Sequence, residues 1–323
     1  MNEANSENQG PEDVPSDQPE VVVPTGPTRC GFCALVGAPN AGKSTLLNAM
    51  VGSKISIVSP KVQTTRSRVT GIAMAGACQL IFVDTPGIFS PHKRLERAMV
   101  AAAWQGAADA DEVVLLVDTA RRTVDADTRS IIDRLKQGGR TAILVLNKID
   151  LIRRDKLLGL AETLNQDGIF TEVFMISAET GDGVEDLRAA LVRRMPEGPW
   201  LFPDDQLSDM PMRLLAAEIV REKLFLQLHQ ELPHSAAVET EAWEEFDDGS
   251  AKIQATITVQ RDSQKAIVLG KSGARIKAIG AAAREELEHL MDRRVHLFLH
   301  VKVRENWADD PDRYRDWGLD FNA

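Results

Sequence analysis

No apolar run in this 323-residue sequence approaches the ~18 residues that a helix needs to span a bilayer. Runs such as VVLLV and AILVL have the length of buried strands. No basic then apolar pattern opens the chain, so a secretory leader is not expected. Three cysteines cannot all pair, and a cytosolic setting is expected. Cys30 and Cys33 form a C-x-x-C, but no second pair or nearby histidine completes a zinc site. They read as small strand residues, with redox chemistry as the alternative. Residues 1–27 hold six acidic residues and no lysine or arginine. Such a segment buries too little surface to offset its chain entropy, so an acidic disordered tail is expected there. A net charge of −10 argues against a protein that coats nucleic acid all over. A local basic patch remains compatible, because steering depends on the local field.

What is present suffices for two soluble domains: 43% hydrophobic and 27% charged residues over this length. FCALVG, QLIFVD, EVVLLVD, AILVLNK and EVFMIS are short β-rich runs, and helical periodicity lies between most of them. Strand then helix, repeated, predicts an α/β domain with a mostly parallel sheet covered on both faces. MAGAC (residues 74–78) predicts a tight turn and one antiparallel edge pair. The alternation stops near Pro196, where PEGPWLFPDDQLSDMP carries four prolines and no period. The expected organisation is a tail (1–27), an α/β domain (28–200), a linker (201–211), a smaller α+β unit (212–304) and a C-terminal tail (305–323). Within the α+β unit the pattern predicts a helix over 212–230, two strands, a short helix, a helix over 274–291 and a last strand. For the aromatic and acidic ending, packing onto the folded unit and disorder both stay open.

GAPNAGKS (residues 37–44) matches G-x-x-x-x-G-K-S, follows a predicted strand and opens a predicted helix. Backbone N–H groups of Gly37, Ala38, Pro39, Asn40, Ala41, Gly42, Lys43, Ser44 and Thr45 (proline excepted) would wrap phosphate oxygens at a helix N-terminus. Lys43 would reach the β- and γ-phosphates and Ser44 would ligate Mg²⁺. In VDTPG, Asp84 would hold Mg²⁺ through water, Thr85 and Pro86 would complete the turn, and the Gly87 amide would face the γ-phosphate. Asn147, Lys148 and Asp150 of NKID follow another strand. A carboxylate at Asp150 can accept both N1–H and the 2-amino N–H of guanine, whereas adenine would leave it unpaired. Ser177, Ala178 and Glu179 open SAETGDGV, whose Ser177–Ala178 backbone would contact the guanine O6.

Gly-Lys-Ser recurs in VLGKSGARIKAIG (residues 268–280). The position that a phosphate loop needs as glycine is Lys265 here, so the copy is not a second nucleotide loop. What remains is G-x-x-G (Gly270, Lys271, Ser272, Gly273) between two amphipathic stretches. That is the loop by which KH domains grip a nucleic-acid backbone. Lys265, Lys271, Arg275 and Lys277 surround it, and residues 252–304 carry eleven Lys/Arg against five Asp/Glu. A basic stripe beside apolar groove residues fits single-stranded RNA. Ile253, Ile257 and Val259 are expected mainly in the core. His296 and His300 are expected to be structural or solvated.

GAPNAGKSTLLNAMVG, QTTRSRVTGI, DTPGIF, NKID and SAETGDGV together resemble the Era GTPase family, of the translation-factor class. With the trailing G-x-x-G unit, read as a type II KH domain, the resemblance covers nearly the whole chain. It implies GTP/GDP and Mg²⁺ as ligands, with a first-switch threonine from QTTR (residues 63–66) on the metal; Thr65 is favoured over Thr64. Ras-like sites place a water-orienting glutamine just after D-x-x-G. Here Ile88 stands there, so slow intrinsic hydrolysis is expected. Related GTPases hold K⁺ with an asparagine at the position of Asn40; Asn40 as a mere loop cap is the alternative. The resemblance further implies single-stranded RNA near the 3′ end of 16S rRNA as a partner, a role in 30S subunit assembly, and contact with the inner face of the membrane. A cytoplasmic monomer is expected, and no amphipathic anchor stands out. GTP is expected to order the switches (54–70 and 84–97) and favour one placement of the KH unit. The rival readings are a signalling GTPase whose KH fold docks protein or membrane, and a metabolic ATPase or kinase.

Overall fold

The computed structural model describes residues 26–61, 64–121, 123–228 and 236–323. The acidic segment up to residue 25, Gln63 of QTTR, the end of the helix expected over 212–230 and the start of the strand that follows lie outside them.

The N-terminal unit is built on a six-stranded sheet in the order β2-β3-β1-β4-β5-β6. Its strands are β1 (Arg29–Gly37), β2 (Val69–Ala75), β3 (Cys78–Asp84), β4 (Glu112–Asp118), β5 (Ala142–Asn147) and β6 (Phe170–Ile176). Every pairing is parallel except β2 with β3, which turn back on each other across Gly76. The helices are α1 (Lys43–Val51), α2 (Arg94–Asp109), α3 (Ala126–Gln137), α4 (Arg154–Asn165) and α5 (Val184–Arg194). The near-continuous apolar runs make sense because both faces are covered. Along β1, Cys33 and Leu35 enter one core with Leu46, Leu47 and Met50 of α1, while Ala34 and Val36 enter the other with Ala103 of α2 and Ile131 of α3. Each such fully buried leucine contributes about 1.5–3 kcal/mol. Cys30 and Cys33 are buried free thiols, and burial raises both pKa values; a protonated thiol is a poor nucleophile.

The C-terminal unit runs α6 (Met212–Gln227), β7 (Ala236–Glu245), β8 (Ala251–Val259), α7 (Asp262–Leu269), α8 (Ala274–Met291) and β9 (Val295–Val303). Its sheet has the order β7-β8-β9. β7 and β8 are antiparallel, and β8 and β9 are parallel from Ala251↔Val295 to Val259↔Val303. The parallel pair forces a crossover, which α7 and α8 supply. That order and pairing are those of a type II KH fold. Ile253, Ile257 and Val259 are fully buried beneath α6 and α8, so they are core. His296 and His300 lie exposed on the opposite face of β9.

The proline-rich connection is hydrogen-bonded along much of its length. Ile72 N donates to Leu207 O at 2.9 Å and Ser208 Oγ to Thr70 O at 2.7 Å, so it lines the edge of β2. Gln79 gathers Leu201 and Phe202: its Oε1 accepts from both amides and its Nε2 donates to Phe202 O.

The two units meet along the first switch. Glu222 of α6 accepts from Lys54 Nζ at 2.6 Å and from Val58 N at 2.8 Å. Lys61 Nζ donates to the carbonyls of Phe225 and Leu228 at the C-terminal end of α6, where the helix dipole favours a cation. Arg221 donates to Thr64 O, and Arg66 donates to Ala236 O at 2.7 Å. The chain ending folds back: α9 (Pro311–Asp316) and its flanks pack Tyr314 and Leu319 against Ala98 and Met99 of α2. Trp307 is buried between the guanidinium groups of Arg66 and Arg313, 5.6 and 5.5 Å from its ring centre.

Candidate nucleotide site and RNA-facing loop

The phosphate loop leaves the end of β1 and turns into α1. Gly37 and Gly42 hold φ of 156° and 96°, conformations open mainly to glycine. A Cβ on Gly42 would sit 2.2 Å from Asn147 Nδ2, and one on Gly87 3.0 Å from Pro39. Gly42 is therefore required for the close approach of loop and NKID, as well as for the turn. Lys43 is buried and donates to Gly37 O and Ala38 O, both at 3.1 Å. Burial lowers its pKa to about 8, with Asp84 opposing the shift. A cavity of about 210 Å³ lies over the loop, lined by Gly42, Lys43, Ser44, Thr65, Gly87 and Lys148 among others.

NKID and SAET close on the loop from the far side. Asn147 Nδ2 donates to Ala41 O at 2.9 Å, and its Oδ1 accepts from Ala178 N at 3.0 Å. One side chain thus joins three motifs that lie far apart in the chain. Lys148, at φ 68°, donates to Asn40 O and to Asp118 Oδ2, both at 2.7 Å. Ser177 is buried, while Asp150 and Glu179 are exposed and do not line the cavity over the loop. Asp118 and Arg121, whose guanidinium donates to Pro39 O at 3.2 Å, support this side. Nothing in the sequence singled them out beyond the position of Asp118 at a strand end.

On the phosphate side, Asp84 is fully buried. Its Oδ2 accepts from Ser44 Oγ at 2.7 Å, Ser56 Oγ at 3.1 Å and Thr65 Oγ1 at 3.3 Å. Burial raises its pKa, while Lys43 and the hydroxyl donors counteract. Asp84 Oδ1 is buried without a hydrogen-bond partner among the described residues. A buried carboxylate with one oxygen unsatisfied, ringed by hydroxyls and backed by no imidazole or thiol, fits a hard cation such as Mg²⁺. Thr65 stands in this cluster; Thr64 instead donates to Lys61 O. Thr85 Oγ1 donates to Leu35 O at 2.8 Å, a structural contact that fixes the turn before Pro86 and Gly87. Asn40, at φ 65°, donates to Pro60 O at 2.9 Å and so touches the first switch. Ile88 is buried in the sheet core, with no group to orient water. Ser56, like Asp118 and Arg121, is a site residue that sequence reasoning missed.

In the second unit, Gly270, Ser272 and Gly273 have φ of 71°, 52° and 76°, so the GKSG segment is a left-handed turn capping α8. A Cβ on Gly270 would meet the backbone N of Arg275 at 3.0 Å; Gly273 faces open space. Lys271 and Lys277 are exposed and Lys265 is half-buried. Arg275 is turned inward, donating to Ile267 O at the end of α7. Ile267 itself is 46% exposed beside the loop, an apolar surface next to cationic ones.

Comparison with known proteins agrees with both halves. Residues 32–148 match the family model described as 50S ribosome-binding GTPase, and residues 231–308 match the KH domain model. GTPase Era of Afipia carboxidovorans is 56% identical over 96% of this chain and 99% of its own length. GTPase Era of Rhizobium meliloti is 58% identical over 91% and 94%. Aquifex aeolicus Era, solved as a tyrosine-to-alanine variant bound to GDP and AlF₄⁻, superposes with a TM-score of 0.85 at 39% identity, covering 90% of this chain and 99% of that one. An Era solved with MgGDPNP and nucleotides 1506–1542 of 16S ribosomal RNA gives the same score, identity and coverage. With its phosphate loop, guanine-side motifs and trailing KH unit in one continuous alignment, this chain belongs to the Era family of GTPases.

Proposed function

We propose that this GTPase uses the state of its first switch to set how its KH unit presents to single-stranded RNA, with the 3′ region of 16S rRNA as the target. The observation that carries the reading is the position of Thr65. Its hydroxyl lies in the Asp84 cluster, while its two neighbours are fastened to the other unit, Thr64 by Arg221 and Arg66 by Ala236 O. A change at Thr65 cannot occur without disturbing contacts to α6 and β7.

In this reading Asp150 accepts from the guanine edge, and Asn147 ties the base side to the phosphate loop. Lys43 turns from the carbonyls of Gly37 and Ala38 to the β- and γ-phosphates. Ser44 and Thr65, with Asp84 through water, would hold Mg²⁺, which would supply charge neutralisation on the phosphates. Gly87 offers its amide to the γ-phosphate. Because Ile88 cannot position water, intrinsic turnover would be slow, and Asn40 would help hold a K⁺ that supplies positive charge beside the phosphates. Equal GTPase rates in K⁺ and Na⁺ would remove that last element. Lys265, Lys271 and Lys277 take RNA phosphates beside the GKSG turn, and Arg275 braces the turn from within.

Support for the RNA target comes from the relative crystallised with a 16S segment. The family model names the 50S particle, but it covers only residues 32–148. The complex covers 90% of this chain, KH unit included, and it favours the small subunit. The scheme needs no second copy of the chain. Among the described residues no helix is long and apolar enough to cross a membrane, and the docking alternative has no observation of its own. The test is fluorescence anisotropy of a short labelled RNA from that 3′ region, with protein loaded with GDP or GDPNP. Affinities that differ between the two states support the coupling, and equal affinities refute it.

A further inference from the structure

Three hydroxyls converge on Asp84 Oδ2, and two belong to the residues that the proposal above assigns to Mg²⁺. The third, Ser56, has a different anchorage. It is 3% exposed, and its backbone is gripped by one side chain of α1. Asn48 Oδ1 accepts from Ile55 N and Ser56 N, both at 3.0 Å, and Asn48 Nδ2 donates to Ser56 O at 2.8 Å. Asn48 lies on the helix that begins at the phosphate loop, one turn beyond Ser44. Ser56 and Thr65 both lie in the switch segment 54–70, but Asn48 ties the Ser56 backbone to α1, whereas the neighbours of Thr65 are tied to α6 and β7.

We propose that Ser56, held by Asn48, is a positioning residue for Asp84, keeping one carboxylate oxygen engaged so that the metal site stays assembled when Thr65 leaves. The inference rests on the Mg²⁺ reading above. Ser56 does not touch the nucleotide chemistry; it acts through Asp84, as outer-shell partners act on metal ligands. Of the three donors to Oδ2, Ser44 and Thr65 are the two assigned to the metal, and Thr65 moves with the switch; Ser56, tied through Asn48 to α1, is left to hold the carboxylate. It therefore matters most in the GDP state, when the switch threonine contributes least.

The test is the rate of mant-GDP release as a function of free Mg²⁺, with an EDTA-treated sample as the metal-free reference. In wild type, Mg²⁺ slows release with a defined midpoint; if it does not, the Mg²⁺ reading itself fails. For Ser56→Ala the midpoint is expected to rise about tenfold, the lower end of the outer-shell range, with release in EDTA unchanged. Asn48→Ala is expected to move the midpoint the same way, and the double variant no further than the larger single effect, because both act on one contact. An unshifted midpoint for Ser56→Ala overturns the proposal, as does an equal acceleration of release with and without Mg²⁺. Additive shifts in the double variant overturn the part assigned to Asn48.

Discussion

Removing the Glu222 carboxylate tests the seam between the two units most directly. Glu222 is 2% exposed and accepts from Val58 N at 2.8 Å, Lys54 Nζ at 2.6 Å and Lys223 Nζ at 3.0 Å. A hydrogen bond to a charged group contributes about 1.5–3 kcal/mol, so three independent ones would amount to roughly 5 or more. They are not independent. Lys54 and Lys223 also pair with Glu286, and Lys54 is 31% exposed, so water and Glu286 recover part of the loss. The amide of Val58 loses its carboxylate acceptor, and water replaces part of that bond because Val58 is 38% exposed. The net cost of Glu222→Ala to the closed seam is therefore about 2 kcal/mol, or roughly 30-fold in its population. Coupling free energies between sites are typically about 1–3 kcal/mol, so this loss is as large as the signal it should carry. The ratio of RNA affinities for GDPNP- and GDP-loaded protein should fall toward one, with guanine-nucleotide affinity held within a few fold. A ratio within twofold of wild type, in a variant that melts normally, would show that the seam does not transmit the nucleotide state.

Other outcomes follow from the same geometry. Asp150→Ala should weaken mant-GDP binding by about 100-fold or more, two charge-assisted hydrogen bonds being lost, and leave ATP binding as weak as before; a small effect would remove Asp150 from the guanine contact. Lys271→Ala with Lys277→Ala should lower RNA affinity and reduce the slope of log affinity against log salt by about 1.4, at ~0.7 per single-strand phosphate contact. An unchanged slope would take these lysines off the RNA path. Tyr314→Ala should cost about 3 kcal/mol or more in urea unfolding, as for other buried aromatics, and raise hydrogen exchange in α2. Exchange confined to the chain ending would show that it does not brace that helix.

Much of this site was legible in advance because its chemistry demands contiguous residues. A phosphate cradle needs successive amides and glycines, and a guanine acceptor must follow a strand end, so GAPNAGKS and NKID carry their function in their spacing. The two glycines of GKSG announce a left-handed turn, although Ser272 at φ 52° does not. The parts that were not legible are contacts between distant segments. Arg221, Glu222 and Lys61 have no period or motif, Arg66 stands in QTTR with no sign of its partner Ala236, and these pairings depend on α6 lying across the first switch. Ser56 and Asn48 look like ordinary loop and helix residues until folding brings Ser56 to Asp84 and Asn48 to the Ser56 backbone. The chain ending stayed open because its aromatics alternate with acids. The apolar face on α2, with Leu95, Ala98 and Met99, decided it.

The hydrogen-bonded connection along β2 sets how far the RNA-facing unit can travel. Because Leu207 and Ser208 are pinned to the sheet edge, only residues 209–211 separate that attachment from α6. Such a short extended segment reaches at most about 10 Å. Opening the seam therefore swings the KH unit on a short arm and does not release it on a leash. If the proposed RNA reading holds, an RNA bound at GKSG would be moved through a defined arc when the seam opens, a stroke within whatever particle holds the rest of that RNA.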